Sequence, residues 1–129
     1  MILEELLISK LQEASSITDV VGSKIYYSTA DQNAVAPYIV VSSIDVFDRE
    51  IHHSGAAAIA RSRIQFDCLG RSALEAKQVA NLVRVLFHGQ RHTGTGITIF
   101  LGRAASQVQF EELNHGYREA LDVIFTHSE

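Results

Sequence analysis

The sequence predicts an α+β domain, with two helices packed on a mainly antiparallel sheet that includes a long β-hairpin. Three observations predict it. Ala60-Arg61-Ser62-Arg63-Ile64-Gln65-Phe66-Asp67-Cys68 alternates, with apolar or small residues at even positions and charged or polar ones at odd positions. That is the period of a strand with one buried and one wet face. Leu69-Gly70-Arg71 then breaks the alternation. Ser72 with Glu75 forms a capping box ahead of Ala76, Val79, Ala80, Val83, Leu86 and Phe87 at helical spacing, and Gly89 supplies the stop. Finally, Tyr38 to Phe47 is a long stretch rich in β-branched residues that pairs naturally with the alternating strand.

The elements follow in order. Ile2, Leu3, Leu6, Leu7, Leu11 and Ala14 recur at three and four, describing an amphipathic helix over about residues 2–15. Glu4 and Glu5 in its first turn suit the helix dipole. Ser15-Ser16 closes it, and Ile17 to Val21 reads as a turn-like continuation before Gly22. Ile25-Tyr26-Tyr27 is a brief strand, residues 28–36 are turn-rich, and Pro37 stands at the mouth of the next strand. Asp48 to Ala58 is expected as the long tip of the hairpin, polar first and then Gly55-Ala56-Ala57-Ala58. Tips of that length are mobile or used for contacts. After the helix, Gln90 to Gly96 reads as a loop, Ile97 to Leu101 and about Ser106 to Phe110 as strands, and Glu111 to Gly116 as a turn. Tyr117 to Thr126 closes the chain as a strand, with Tyr117, Glu119, Leu121, Val123 and Phe125 on one face.

At 129 residues the whole chain, 1–129, is expected to be one domain, and a hydrophobic fraction of 47% is ordinary for a globular protein. A net charge of −4 gives no basic face for sequence-specific nucleic-acid binding. The single cysteine, Cys68, excludes an intrachain disulfide and a thiolate cluster. It falls on the inward strand face and is expected to pack as a small hydrophobe, with synthesis in a reducing cytoplasm. The N-terminal apolar stretch carries acids where a signal peptide needs positive charge, and no apolar run reaches the length of a membrane span.

Six histidines raise a metal hypothesis. His88 and His92 are four apart but separated by Gly89, and His52-His53 are adjacent, so their side chains diverge in a strand. No His-Glu-x-x-His or Cys-x-x-Cys pattern occurs, so no metal and no cofactor is expected. Ser15-Ser16 and Ser42-Ser43 lack a nucleophile elbow. Asp45 and Asp67 could face each other across the hairpin, though solvent-face residues of a sheet are the simpler reading. Gly94-Thr95-Gly96 precedes no helix and so makes no phosphate cradle. Nothing here carries an enzyme. The functional candidates are instead Arg61 and Arg63, which with Gln65 and Asp67 form a polar stripe on the exposed strand face. That stripe could pair with acids such as Glu111 and Glu112 of a neighbouring subunit. The hairpin tip, with Asp48, Arg49, Glu50, His52 and His53, is a second candidate contact.

Taken together, nearly the whole chain resembles the tail-completion, or tail-terminator, proteins of long-tailed bacteriophages. The resemblance is carried by Asp19-Val20-Val21-Gly22-Ser23-Lys24-Ile25-Tyr26 after the first helix, and by Ala36-Pro37-Tyr38-Ile39-Val40-Val41 at a strand entry. The alternating strand Ala60 to Cys68, the capped helix Ser72 to Leu86, and the closing Gly116-Tyr117-Arg118-Glu119-Ala120-Leu121-Asp122-Val123 complete it. The hairpin tip, with His52-His53 and the alanine run, departs from the family pattern. The resemblance implies structural work without turnover or cofactor. Subunits would form a ring, commonly a hexamer, that caps the tail tube and docks the head connector. The partners would be the chain itself, the tail-tube protein and the head-connector protein, at the head-proximal end of the virion tail. The alternatives are a small bacterial adaptor domain of the same fold and a histidine-dependent metal hydrolase.

Overall fold

A computed structural model describes residues 1–51, 58–112 and 116–128, with the side chains of 47–51, 58 and 112 left aside. The chain runs α1 (Leu3–Glu13), α2 (Ser15–Val21), β1 (Ile25–Tyr27), β2 (Tyr38–Ile51), β3 (Ala58–Gly70), α3 (Ala73–Phe87), β4 (His92–Gly94), β5 (Ile97–Glu112) and β6 (Gly116–Ser128). The strands form one six-stranded sheet in the order β1-β2-β3-β6-β5-β4. All neighbours are antiparallel except β1 and β2, which pair in parallel through Ile25↔Ile39 and Tyr27↔Val41. The fold class is α+β, as the sequence predicts.

The alternation in β3 divides the sheet's two faces as expected. Ala60, Ser62, Ile64, Phe66 and Cys68 are buried, while Arg61 is exposed and Arg63, Gln65 and Asp67 are half-buried. In β6, Glu119, Leu121, Val123, Phe125 and His127 point inward. The helices pack on that inward face. Phe87 from α3 stacks on Phe66 at 5.3 Å between ring centroids and meets Phe125 edge-on at 5.4 Å. Leu3, Leu6, Leu7 and Leu11 of α1, with Ile17 and Val21 of α2, complete the same core.

α3 is capped largely as the sequence indicates. Ser72 Oγ accepts the Glu75 amide at 3.1 Å, but the Glu75 carboxylate bonds the Arg71 amide at 2.8 Å rather than that of Ser72. Arg71 Nη2 closes on the same carboxylate at 2.8 Å. At the far end of α3, the helix backbone approaches β5 so closely that a Cβ at Gly102 would run into Phe87 O.

Several expectations are corrected. Residues Ile17 to Val21 lie in a helix, so the described residues contain three helices rather than two. Asp48, Arg49 and Glu50 are not in a loose tip: β2 continues through them, in register with Arg61, Ala60 and Ile59. Register shifts between Ser43 and Asp45 and between Val46 and Asp48 break the alternation and conceal the continuity. The same effect joins the two expected strands at 97–101 and 106–110 into one strand, β5. Its register shifts fall between Ile99 and Leu101 and between Ala104 and Ser106. Glu111 and Glu112 belong to that strand, opposite Tyr117 and Gly116, not to a turn. His92 to Gly94, expected as loop, pairs with Ile97–Ile99. His52, His53, the start of the alanine run and residues 113–115 of the expected turn lie outside the described residues.

Candidate functional site: the bare face of the sheet

With the helices on one face, the odd-numbered residues of β3 line the other, and among the described residues no helix covers it. Rows of residues cross this face from strand to strand. One runs Val40, Asp67, Ala120, Val108; the next Ser42, Gln65, Asp122, Ser106; then Asp45, Arg63, Ile124, Arg103; then Asp48, Arg61, Thr126, Leu101.

The charges on these rows interlock diagonally. Arg63 Nε donates to Asp122 Oδ2 at 3.1 Å. Gln65 Nε2 donates to Asp67 Oδ1 at 2.8 Å, and Arg118 Nη1 donates to the same oxygen at 3.2 Å. The Arg118 guanidinium also lies 4.5 Å from the centroid of the Phe110 ring. Each pair is partly wet and contributes roughly 0.2–1 kcal/mol, with a similar amount from the cation–π contact at about 0.5–1 kcal/mol. The network therefore does less for folding than for the shape of the face, since it holds long side chains in place.

The expected stripe is present, and part of it is engaged within the chain itself. Arg61 is exposed, in register with Asp48 on one side and Thr126 on the other. Arg63 is held by Asp122. Asp45 lies opposite Arg63 and Asp67 opposite Val40, so no carboxylate pair spans the hairpin. Glu111 and Glu112 sit at the opposite end of the sheet from Arg61, beyond the Phe110 row. The partners Asp122 and Arg118 escaped the sequence reading. Their even numbering in β6 marks them, because the odd residues of that strand point inward.

The described histidines have structural roles. His127 Nδ1 donates to Ser128 O at 2.7 Å, while its Nε2 shares a 2.8 Å hydrogen bond with buried Ser62. His92 Nε2 donates to Leu86 O at 2.9 Å, and His88 Nδ1 accepts the Ala104 amide at 2.9 Å. Among the described residues, no group of three His, Cys, Asp or Glu side chains could hold a metal ion. Cys68 is fully buried, as predicted, and its thiol pKa is raised first by burial and then by the Asp67 and Glu119 charges. No helix is long and apolar enough to cross a membrane among the described residues. A shallow concavity of about 350 Å³ on the bare face is lined by Tyr38, Val40, Asp67, Leu69, Arg118 and the 28–30 loop. Its two charges already pair with each other.

The apolar exposure is unevenly placed. Ile44 and Val46 of β2 and Phe100, Leu101, Val108 and Phe110 of β5 are between 38% and 51% exposed, while β3 and β6 contribute no large exposed hydrophobe among their described side chains.

No curated protein sequence matches the chain. A chain from the solved virion of a native gene transfer agent particle is similar in fold, with a TM-score of 0.75 and 16% identity over 98% of this chain and 94% of that one. A second solved structure has a TM-score of 0.52 at 11% identity, covering 98% and 92% of the two chains. The family described as Tail completion protein gp17 matches residues 5–124. The chain therefore belongs to this family of phage tail-completion proteins, structural components of tail assembly.

Proposed function

We propose that the protein forms a ring, commonly a hexamer in the tail-completion proteins it resembles, that caps the finished tail tube and joins it to the head connector. The partners are further copies of the chain, the tail-tube protein and the head-connector protein. The work is interface formation, without turnover and without a cofactor. The carrying observation is the bare, curved sheet face, whose Arg63–Asp122 and Asp67–Arg118 pairs are set before assembly. A hydrated, preorganised polar surface suits the wall of a ring or a reversible docking face.

Within this reading, Arg61 and Arg63 contribute to a subunit contact or line the lumen. The end of the hairpin, with Asp48, Arg49, Glu50, His52 and His53, reaches a neighbour, and Glu111 and Glu112 supply acids to the neighbour's stripe. Because these charges recur in every subunit, a modest contact is repeated around the ring and gains by multivalency.

The test is mass in solution, alone and with tail tubes that lack their terminal protein. The reading expects an assembly of several subunits that appears or strengthens with tubes present. A monomer at every concentration, both with and without tubes, contradicts it.

A further inference from the structure

The sheet leaves two stretches of main chain open, and the two are complementary. β1 pairs with β2 at Ile39, Val40 and Val41, and β4 pairs with β5 only over Ile97–Ile99. The end of α3 extends the cover of β5 a little further. His88 bridges Gly102, the Gly89 amide bonds Gly102 O at 2.8 Å, and the Ala104 amide bonds His88 Nδ1. Beyond these, among the described residues, no strand pairs with the outer edge of β2 from Ser43 to Ile51 or of β5 from Ser106 to Glu112.

The open stretches lie at diagonally opposite corners. At the Val40–Asp67–Ala120–Val108 row, β2 is covered and β5 is open; at the Asp48–Arg61–Thr126–Leu101 row, β2 is open. Three successive antiparallel pairings also make β2 and β5 antiparallel to each other. Copies related by rotation about an axis along the strands would therefore present β2 of one and β5 of the next as an antiparallel pair. The diagonal offset is the stagger that a sheet needs in order to close with tilted strands, and the paired register shifts in β2 and β5 add the curvature.

The side chains agree with this geometry. Apart from Tyr27 of β1, the large exposed hydrophobes of the sheet lie on the two strands with open stretches, Ile44 and Val46 on β2 and Phe100, Leu101, Val108 and Phe110 on β5. A neighbour seated edge to edge would cover part of both sets.

We infer that copies of the chain join head to tail through main-chain pairing of 43–51 in one copy with 106–112 in the next, continuing the sheet from subunit to subunit. This joint rests on the ring reading and gives it a specific contact. It places the neighbouring copy's Glu111 and Glu112 beside the Ser43–Asp45 end of β2, two strand spacings or about 10 Å from the strand position of Arg63. In an isolated chain those residues lie far apart along the sheet.

The experiment uses Asp45→Cys and Val108→Cys, singly and together, treated with a short bis-maleimide after assembly. Asp45 is exposed on β2, Val108 is exposed on β5, and the native Cys68 is buried. The double variant should give a ladder of covalent oligomers ending at the full ring, and an equal mixture of the two single variants should give crossed dimers. Each single variant alone should stay uncrosslinked. Crosslinking of either single variant to itself overturns the head-to-tail joint. So does the absence of a ladder when sedimentation shows that rings have formed; that result spares the ring reading and removes only this contact. If the unmodified protein forms no ring even with tail tubes, the ring reading falls and the joint with it. A measurement without substitutions is hydrogen exchange on the unmodified protein. Assembly should slow alternate amides of 43–51 and 106–112 by about tenfold or more, and unchanged exchange there in assembled rings overturns the joint.

Discussion

Arg63 Nε donates to Asp122 Oδ2 at 3.1 Å across the β3–β6 ladder, so this stripe arginine is held by its own chain before any neighbour arrives. Arg61, two residues away on the same face, is exposed. The two arginines therefore differ in exposure, Arg63 being half-buried and Arg61 standing in water.

Replacing both, Arg61→Glu with Arg63→Glu, should leave the fold intact and impair ring formation or tail completion. Arg63→Glu sets a second carboxylate against Asp122, at a cost of about 1 kcal/mol or less for a partly solvated pair. Circular dichroism should show native secondary structure while assembly, followed by sedimentation, is lost. Normal assembly of the double variant removes the stripe from the contact.

Gly102 lies where the end of α3 meets β5, and an added Cβ would collide with the main-chain oxygen of Phe87. Backbone cannot swing aside as a flexible side chain would. Gly102→Ala should therefore lose about 1–3 kcal/mol, read as a lower denaturation midpoint with an unchanged slope. Retained stability would mean that α3 and β5 can separate at no cost.

Glu75 ties the start of α3 to Arg71. Its carboxyl is held below the usual carboxylate range, first by the Arg71 side-chain hydrogen bond and then by the Arg71 amide, against the opposing effect of burial. A depressed folded pKa contributes stability that is present above the unfolded value of about 4.3. That contribution is lost as pH falls through the folded value. Because the pair is largely solvated, Glu75→Gln should cost less than about 1 kcal/mol at neutral pH. The difference from the parent should shrink in acid, as followed by thermal melts from pH 7 to pH 3. A difference that grows in acid contradicts the assignment.

Cys68 is buried between sheet and helices, and its thiol pKa is raised above the ordinary value. A thiol-specific reagent should react with the native protein only as fast as the domain opens. Full reactivity should return in denaturant. Rapid labelling of folded protein would place the β3 inward face outside the core.

What was legible in the sequence follows from how far each element obeys a period. The β3–α3 unit obeys two in succession, and its buried residues and Ser72 cap stand where the pattern puts them. β2 and β5 do not, because an extra residue at each register shift moves later side chains to the other face. The polar end of β2 thus reads as a tip, and β5 as two strands. The parallel pairing of β1 with β2 depends on how the 28–36 segment folds back, which no local pattern encodes. On the bare face, Arg61 and Arg63 were visible because their own strand alternates. Their row partners depended on the register of β6, and register is a property of two strands together.

Whether the protein works as a ring at the end of a tube is decided by electron microscopy of tail tubes that lack their terminal protein, before and after addition of the purified chain. A ring of density is expected at one end of each tube and, once the ring is present, attachment of heads at that end. Bare tube ends at saturating protein, or protein bound along the tube wall, would contradict that role.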